Sequence, residues 1–258
     1  MVMQIATIVP TKYLYMVEAD DYHLCLAQLI ETDPSYTSFY KAKADTGSFV
    51  ILDNGAAEGH LPETSYLYEK ALKINANEVQ VPDVFFQKDE TLKLAFKGVN
   101  FLKKKKWPGT IMVVPQGRYL HEWVDCAKEM CGWDSDICIG VPKNLVHTIG
   151  HRGRLEALQE LFLQMTYLKP IHLLGCWTDP REVGEIYKWF QEQTIGNCLR
   201  GVDSRLAYLY AYEGWELDPD MHDKPPRKDI DFSDSSTSEE LLEHNIKLWR
   251  EYCYGERV

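Results

Sequence analysis

The stretch FVILDNGAAEG, residues 49–59, runs four apolar side chains straight into Asp53 and then into Asn54, Gly55, Ala56 and Ala57. A short continuous apolar run closed by turn residues is the pattern of a strand buried on both faces. Asn-Gly is a common turn pair, and an Asp before it can cap the turn. A strand that lifts a carboxylate into a cleft, with small side chains beside it, can equally supply half of an active site. Runs of the same kind recur at MQIATIVPT (3–11), EVQVPDV (78–84), TIMVVPQG (110–117), DICIGVPK (136–143), PIHLLGC (170–176) and LRGVDS (199–204).

Between the runs, apolar residues recur at helical spacing. Leu92, Ala95, Phe96, Val99 and Leu102 form one stripe, and Leu120, Trp123, Val124 and Ala127 a second. Leu155, Leu158, Leu161, Phe162 and Met165 form a third, and Val183, Ile186, Tyr187 and Phe190 a fourth. Strands alternating with amphipathic helices imply parallel pairing, because each crossover helix returns the chain to the same end of the sheet. Seven strands are visible and KDIDFSD (228–234) is the candidate eighth, with a last helix carrying Leu241, Leu242, Leu248, Trp249 and Tyr252. The expectation is a single-domain (β/α)8 barrel spanning residues 1–258, irregular at its last unit. An open doubly wound sheet is the rival, and no GxGxxG or GxxxxGK[ST] turn follows any strand to favour it. Residues 218–237, rich in Asp, Pro, Lys and Ser, read as one long loop inside the domain.

Composition narrows the function classes. The chain has 258 residues and a formal net charge of -11, which argues against an unaided, all-over grip on nucleic acid. KKKK (103–106), HRGR (151–154) and KPPRK (224–228) are the concentrated positive stretches: each is a solvated helix end or loop, or together they line a channel on an acidic body. No apolar run approaches the roughly 18 residues of a membrane span. The N-terminal segment lacks the basic flank and small-residue cleavage site of a signal peptide, so a cytoplasmic location is expected. Seven scattered cysteines without a CxC or CxxC pair read as buried thiols, and no metal site is expected.

In a barrel, reactive groups come from the carboxyl ends of strands and the loops after them. Those ends read Asp53, Asp83, Gln116-Gly117, Lys143, Gly175-Cys176 and Asp203. Each acid alone has a plain alternative as a helix cap or loop acid. Three at equivalent ends would converge on one mouth. Two carboxylates suffice for double displacement at a sugar carbon, one attacking C1′ and one moving a proton at the leaving group. A third can accept hydrogen bonds from a purine edge. His172 lies inside a strand run and reads as a core or supporting residue. A Cys176 nucleophile would need a nearby His base.

The ordered strand ends resemble the tRNA-guanine transglycosylase superfamily, irregular barrels that exchange guanine for a 7-deazaguanine. ILDNGAAEG resembles the family's strand ending in Asp-Ser-Gly-Gly, which implies a general acid/base role for Asp53. VPDV sits where the family has the acid that reads the guanine edge, here Asp83. VVPQG resembles its Val-Gln-Gly segment, which implies base contact by Gln116, followed by Gly117. IGVPK lies at its glycine-rich base-contacting loop and HLLGC resembles Tyr-Leu-Met-Gly. GVDS resembles Gly-Ile-Asp, whose Asp is the covalent nucleophile, here Asp203. The resemblance covers about Val50 to Arg205. The family's CxCxxC zinc site is missing, Ala56 stands where a glycine is found, and Ser204-Arg205-Leu206 replaces the longer tRNA-binding signature.

The lack of tRNA-specific parts implies a relation to the phage DNA transglycosylases, and hence guanine exchange in DNA for a base such as preQ0 or preQ1. Asp203 would form the glycosyl ester and Asp53 would shuttle the proton. Asp83, Gln116 and Asn54 would hold the base, with Gly140 and Gly175 letting the backbone approach the ring. Lys143, Arg152, Arg154 and Arg205 would meet single- or double-stranded DNA, with phosphate contacts dominating affinity. No cofactor is implied, and the location would be the host cytoplasm for a phage-encoded chain. A protein partner or a second copy is the alternative source of positive charge. The rival functions are the same exchange on tRNA, an N-glycoside hydrolase using Asp53 and Asp203, and a non-catalytic base-binding barrel.

Overall fold

In the computed structural model the described residues are 2–56, 59, 62–133, 136–150, 152–165, 169–176, 179–193, 198–220 and 236–256. Eight strands alternate with helices around one barrel: β1 (Gln4–Thr7), β2 (Tyr22–Leu26), β3 (Phe49–Asp53), β4 (Glu78–Gln80), β5 (Thr110–Val113), β6 (Ile137–Pro142), β7 (Ile171–Leu174) and β8 (Leu199–Ser204). All recorded pairs are parallel, in the order β1-β8-β7-β6-β5-β4-β3-β2. β1 and β2 approach each other at the remaining seam without a hydrogen-bonded ladder among the described residues, so the barrel is nearly closed.

The four internal stripes fall on α4 (Lys88–Lys104), α5 (Leu120–Cys131), α7 (Gly153–Gln164) and α8 (Arg181–Glu192), and the last on α10 (Glu239–Cys253). The remaining helices are α1 (Ala27–Thr32), α2 (Pro34–Asp45), α3 (Thr64–Lys73), α6 (Val146–Ile149) and α9 (Leu206–Tyr212). Phe96 departs from its stripe: it is 54% exposed and meets Trp133 edge-on. No helix among the described residues is long and apolar enough to cross a membrane.

The barrel is irregular at both ends of the chain. β8 is followed by α9 and then α10, while β1 is followed by a 3-10 segment, Thr11–Val17, in place of an α-helix. The eighth strand of the ring is β2, YHLCL, which the count of apolar runs passed over. His23 breaks that run, yet it is buried on the outer face of the strand, edge-on to Phe39 and Tyr40, with Nε2 bonded to the Asp20 carbonyl at 2.8 Å. A histidine satisfied in this way costs the strand little. KDIDFSD, KPPRK, His151 and most of the 218–237 loop lie outside the described residues.

Strand alternation sorts the side chains into two cores. Ala6, Ile8, Tyr22, Leu24, Leu26, Ile51, Met112, Val114 and Cys138 fill the inside of the barrel. Their neighbours Val50, Leu52, Val79, Val113, Ile139, Leu173 and Val202 face the helices. The seven cysteines are free thiols, six of them buried, as their scatter suggested.

Candidate active site at the carboxyl mouth

Register decides which strand-end groups point into the barrel. Asp53 follows Phe49 and Ile51 at a spacing of two and pairs across the ladder with Leu26, an inner-core residue. Asp203 pairs with Ala6, also inner-core. The two carboxylates therefore occupy inward positions at the carboxyl ends of β3 and β8, flanking the β1/β2 seam. Asp203 is only 6% exposed.

Asp203 points inward because β8 contains a bulge. Between β7 and β8, Ile171 pairs with Leu199 but His172 pairs with Gly201, so Arg200 is an extra residue. Simple alternation puts positions 200 and 203 on opposite faces; one inserted residue puts both inside. Asp203 Oδ1 then accepts hydrogen bonds from His172 Nε2 at 3.0 Å and the Gly175 N–H at 3.2 Å. Among the described residues, no hydrogen bond reaches Oδ2. One oxygen is anchored and the other is available to a ligand.

A second cluster is built on the ends of β3, β4 and β5. Asn54 and Gln116, each 1% exposed, donate to Asp83: Asn54 Nδ2 to Oδ1 at 2.9 Å, and Gln116 Nε2 to Oδ2 at 2.7 Å. Asn54 also donates to the Val81 carbonyl and accepts from the Ala56 N–H, which fixes the turn after β3. Thus the Asn-Gly turn and the site are one device. Burial pushes the Asp83 carboxyl up from its ordinary 3.8 to about 6, against the lowering effect of hydrogen bonds from Asn54, Gln116 and Gln80. The Gln116 Oε1 accepts from the Phe86 N–H at 3.3 Å, and Phe86 has φ of +63°. That left-handed backbone costs an aromatic residue roughly 1–3 kcal/mol, and such strain gathers at binding sites.

Gln80 completes this cluster and was missed in the sequence. It is 3% exposed, shares the inward face of β4 with Glu78, and its Oε1 has no partner among the described residues. A buried orphan acceptor is costly enough to mark a place where a ligand donor fits. Both amide atoms of Asn144, just after β6, are also buried without partners among the described residues. The signal in the sequence was the polar alternation Glu78, Gln80 within an otherwise apolar run. Beside Asn54, a cavity of about 600 Å³ opens between α1 and α3, lined by Ala27, Gln28, Glu31, Glu63 and Tyr66. Its acids suit it to an uncharged or donor-rich ligand rather than a phosphate backbone.

Several expected contacts fall elsewhere. Arg154 is fully buried: it forks onto Glu182 at 3.0 and 2.7 Å and donates to the Gly175 carbonyl at 2.7 Å. Every part of its guanidinium faces protein, so it is a structural cation and cannot meet a DNA phosphate from this position. Arg152 is exposed but paired with Glu185 at 3.0 Å, and Arg205 occupies the N-cap of α9. The Lys143 stem covers Gly175, whose φ is +68° and whose added Cβ would lie 2.8 Å from Lys143 Cδ. The space before Gly140 is filled by Leu174, Met112 and Val114, so that glycine admits barrel side chains, not a purine ring. Gly117 is glycine because a Cβ would lie 2.5 Å from the Trp123 backbone nitrogen in α5. Among the described residues, no group of three or more His, Cys, Asp or Glu is placed to hold a metal ion.

No family model matches the chain, and no curated protein matches it. Among solved structures, the crystal structure of the YdjI aldolase from Escherichia coli K12 is similar, with a TM-score of 0.50 and 11% identity over 99% of this chain and 89% of that one. The likeness is one of barrel architecture.

Proposed function

We propose that this barrel is a base-exchange glycosyltransferase that replaces guanine in DNA with a 7-deazaguanine. The observation that carries the reading is Asp203: a buried carboxylate with one oxygen doubly anchored and the other without a hydrogen bond among the described residues, at the mouth that also holds Asp53 and the Asp83 cluster. An anchored, water-poor carboxylate is oriented for attack without losing that orientation as the reaction proceeds.

In the proposed cycle the target nucleotide first leaves the stack, which costs a few kcal/mol that pocket contacts offset. Asp203 Oδ2 attacks C1′, forming the C1′–O ester bond as the C1′–N9 bond breaks. Asp53 gives its proton to the departing guanine. The incoming base then surrenders its N9 proton to Asp53, N9 attacks C1′, and the Asp203 carboxylate leaves. Two inversions retain the β configuration, and the exchange needs no external energy source. Asp83, the second Nε2 proton of Gln116 and the unpartnered Gln80 Oε1 supply an acceptor–donor set for a purine edge.

Incubating the protein with backbone-labelled DNA and trapping on a denaturing gel tests the nucleophile. The parent chain is expected to form a covalent adduct, and Asp203→Asn and Asp203→Ala are expected to lose it. Exchange by either variant at the parent rate would exclude Asp203. Mass spectrometry of nucleosides from treated DNA and tRNA separates the substrates: modification confined to tRNA overturns the DNA assignment, and free guanine with an abasic product makes the chain a hydrolase.

A further inference from the structure

Behind Asp203, a chain of buried and partly buried polar groups runs through the barrel interior. His172, fully buried, bonds Asp203 through Nε2, and its Nδ1 lies 2.8 Å from the Tyr22 hydroxyl. Arg200 Nε donates to the same hydroxyl at 3.1 Å, and its two terminal nitrogens fork onto Glu78 at 2.7 and 2.6 Å. Glu78, itself fully buried, accepts from the Thr110 hydroxyl at 2.7 Å. Five strands contribute to this line, and the β8 bulge is what brings Arg200 and Asp203 into it together.

The proton positions follow from counting donors. Arg200 has only donors, so the Tyr22 oxygen accepts from it. Burial holds the Tyr22 phenol protonated, well above its ordinary range. Its own O–H is then directed to the remaining neighbour, His172 Nδ1, which must accept. The ring proton is left on Nε2, aimed at Asp203. The opposite tautomer would set an N–H against the phenol and leave the tyrosine proton without an acceptor, inside a core where an unmade hydrogen bond is costly.

We propose that Arg200 and Tyr22 fix His172 as its neutral Nε2–H tautomer, and that this imidazole is the positioning residue that holds Asp203 Oδ1 and presents Oδ2 for reaction. The tautomer stands on the geometry alone; its catalytic meaning rests on Asp203 being the nucleophile of the function proposed above. Catalysis gains because the donor is permanently in place as carboxylate becomes ester and carboxylate again. Asp203 therefore needs no rearrangement at either displacement.

Two measurements on the full chain separate the parts. Long-range 15N–1H NMR of histidine-labelled protein reads the tautomer without substrate. The expected result for His172 is a protonated Nε2 and an unprotonated, hydrogen-bonded Nδ1, with the Nδ1 shift moving in Tyr22→Phe, which keeps the ring and its 5.5 Å stack on Phe49. A protonated Nδ1 in the parent, or no change in Tyr22→Phe, overturns the tautomer assignment whatever the enzyme does. Single-turnover adduct formation tests the positioning role. His172→Gln, which retains an N–H donor, is expected to outpace His172→Leu by at least about tenfold, the factor expected for about 1.4 kcal/mol, with DNA affinity equal in both. Equal rates in soluble, folded Gln and Leu variants overturn positioning. Absence of any adduct in the parent instead removes the proposed function, and the NMR result still judges the tautomer.

Discussion

Replacing Asp83 by Asn should erase a specific part of the protein's pH-dependent stability. Asp83 is 1% exposed, and burial raises its carboxyl from an ordinary 3.8 to about 6. Between those values the folded chain holds a proton that the unfolded chain has released. Folding stability therefore falls as pH rises through this window, and the full penalty is present above about pH 6. At about 1.36 kcal/mol per unit, that shift is worth about 3 kcal/mol. The assay is urea denaturation of parent and Asp83→Asn at steps from pH 4 to 7, following the difference between the two curves so that other groups cancel. The parent should lose about 3 kcal/mol relative to the variant across the window. The variant carries its own fixed cost, since an amide NH2 would face the donors of Asn54 or Gln116, but that cost is independent of pH. A flat difference would refute the argument, showing that donors to Asp83 offset its burial completely.

Asp83→Asn should also weaken discrimination between competing bases more than DNA binding, measured by competition in the exchange assay against a DNA affinity titration; unchanged preference counts against a base-reading role. Arg154→Ala should destabilise the protein by about 3–5 kcal/mol in denaturant, because it leaves Glu182 unpaired in a largely buried setting. A loss below about 1 kcal/mol would mean the pair behaves like a surface contact. Gly117→Ala should cost about 1–3 kcal/mol from overpacking against α5; a variant of parental stability with weaker base binding would restore Gly117 as a base contact.

The candidate site was partly legible because parallel barrels place strand ends at one mouth, and apolar runs report strand ends well. Asp53, Asp83, Gln116 and Asp203 were each found as the polar residue closing such a run. His172 was recognised as buried within a strand, but neither its tie to Asp203 nor the residues behind it were visible. Tyr22 was hidden with the rest of β2 because His23 interrupts the run that would have marked the strand. HRGR looked like an exposed basic stretch. Composition does not record that Glu182, twenty-eight residues on from Arg154, and the Gly175 carbonyl draw that arginine into the core.

Periodicity along the chain thus determined the class of fold and the acids at the ends of its strands, while β2 (Tyr22–Leu26) left no such mark. These are local properties: each run reports how its own faces meet water. Tertiary structure alone decided which groups are paired. The extra residue in β8 turns both Arg200 and Asp203 inward, because a bulge is defined only against the neighbouring strand it slips past. The same dependence on distant partners makes Arg154 a buried strut, Gly117 a packing contact and Asp203 a carboxylate with one oxygen held and one open. Burial and hydrogen-bond satisfaction belong to pairs of residues far apart in sequence, and only folding brings those pairs together.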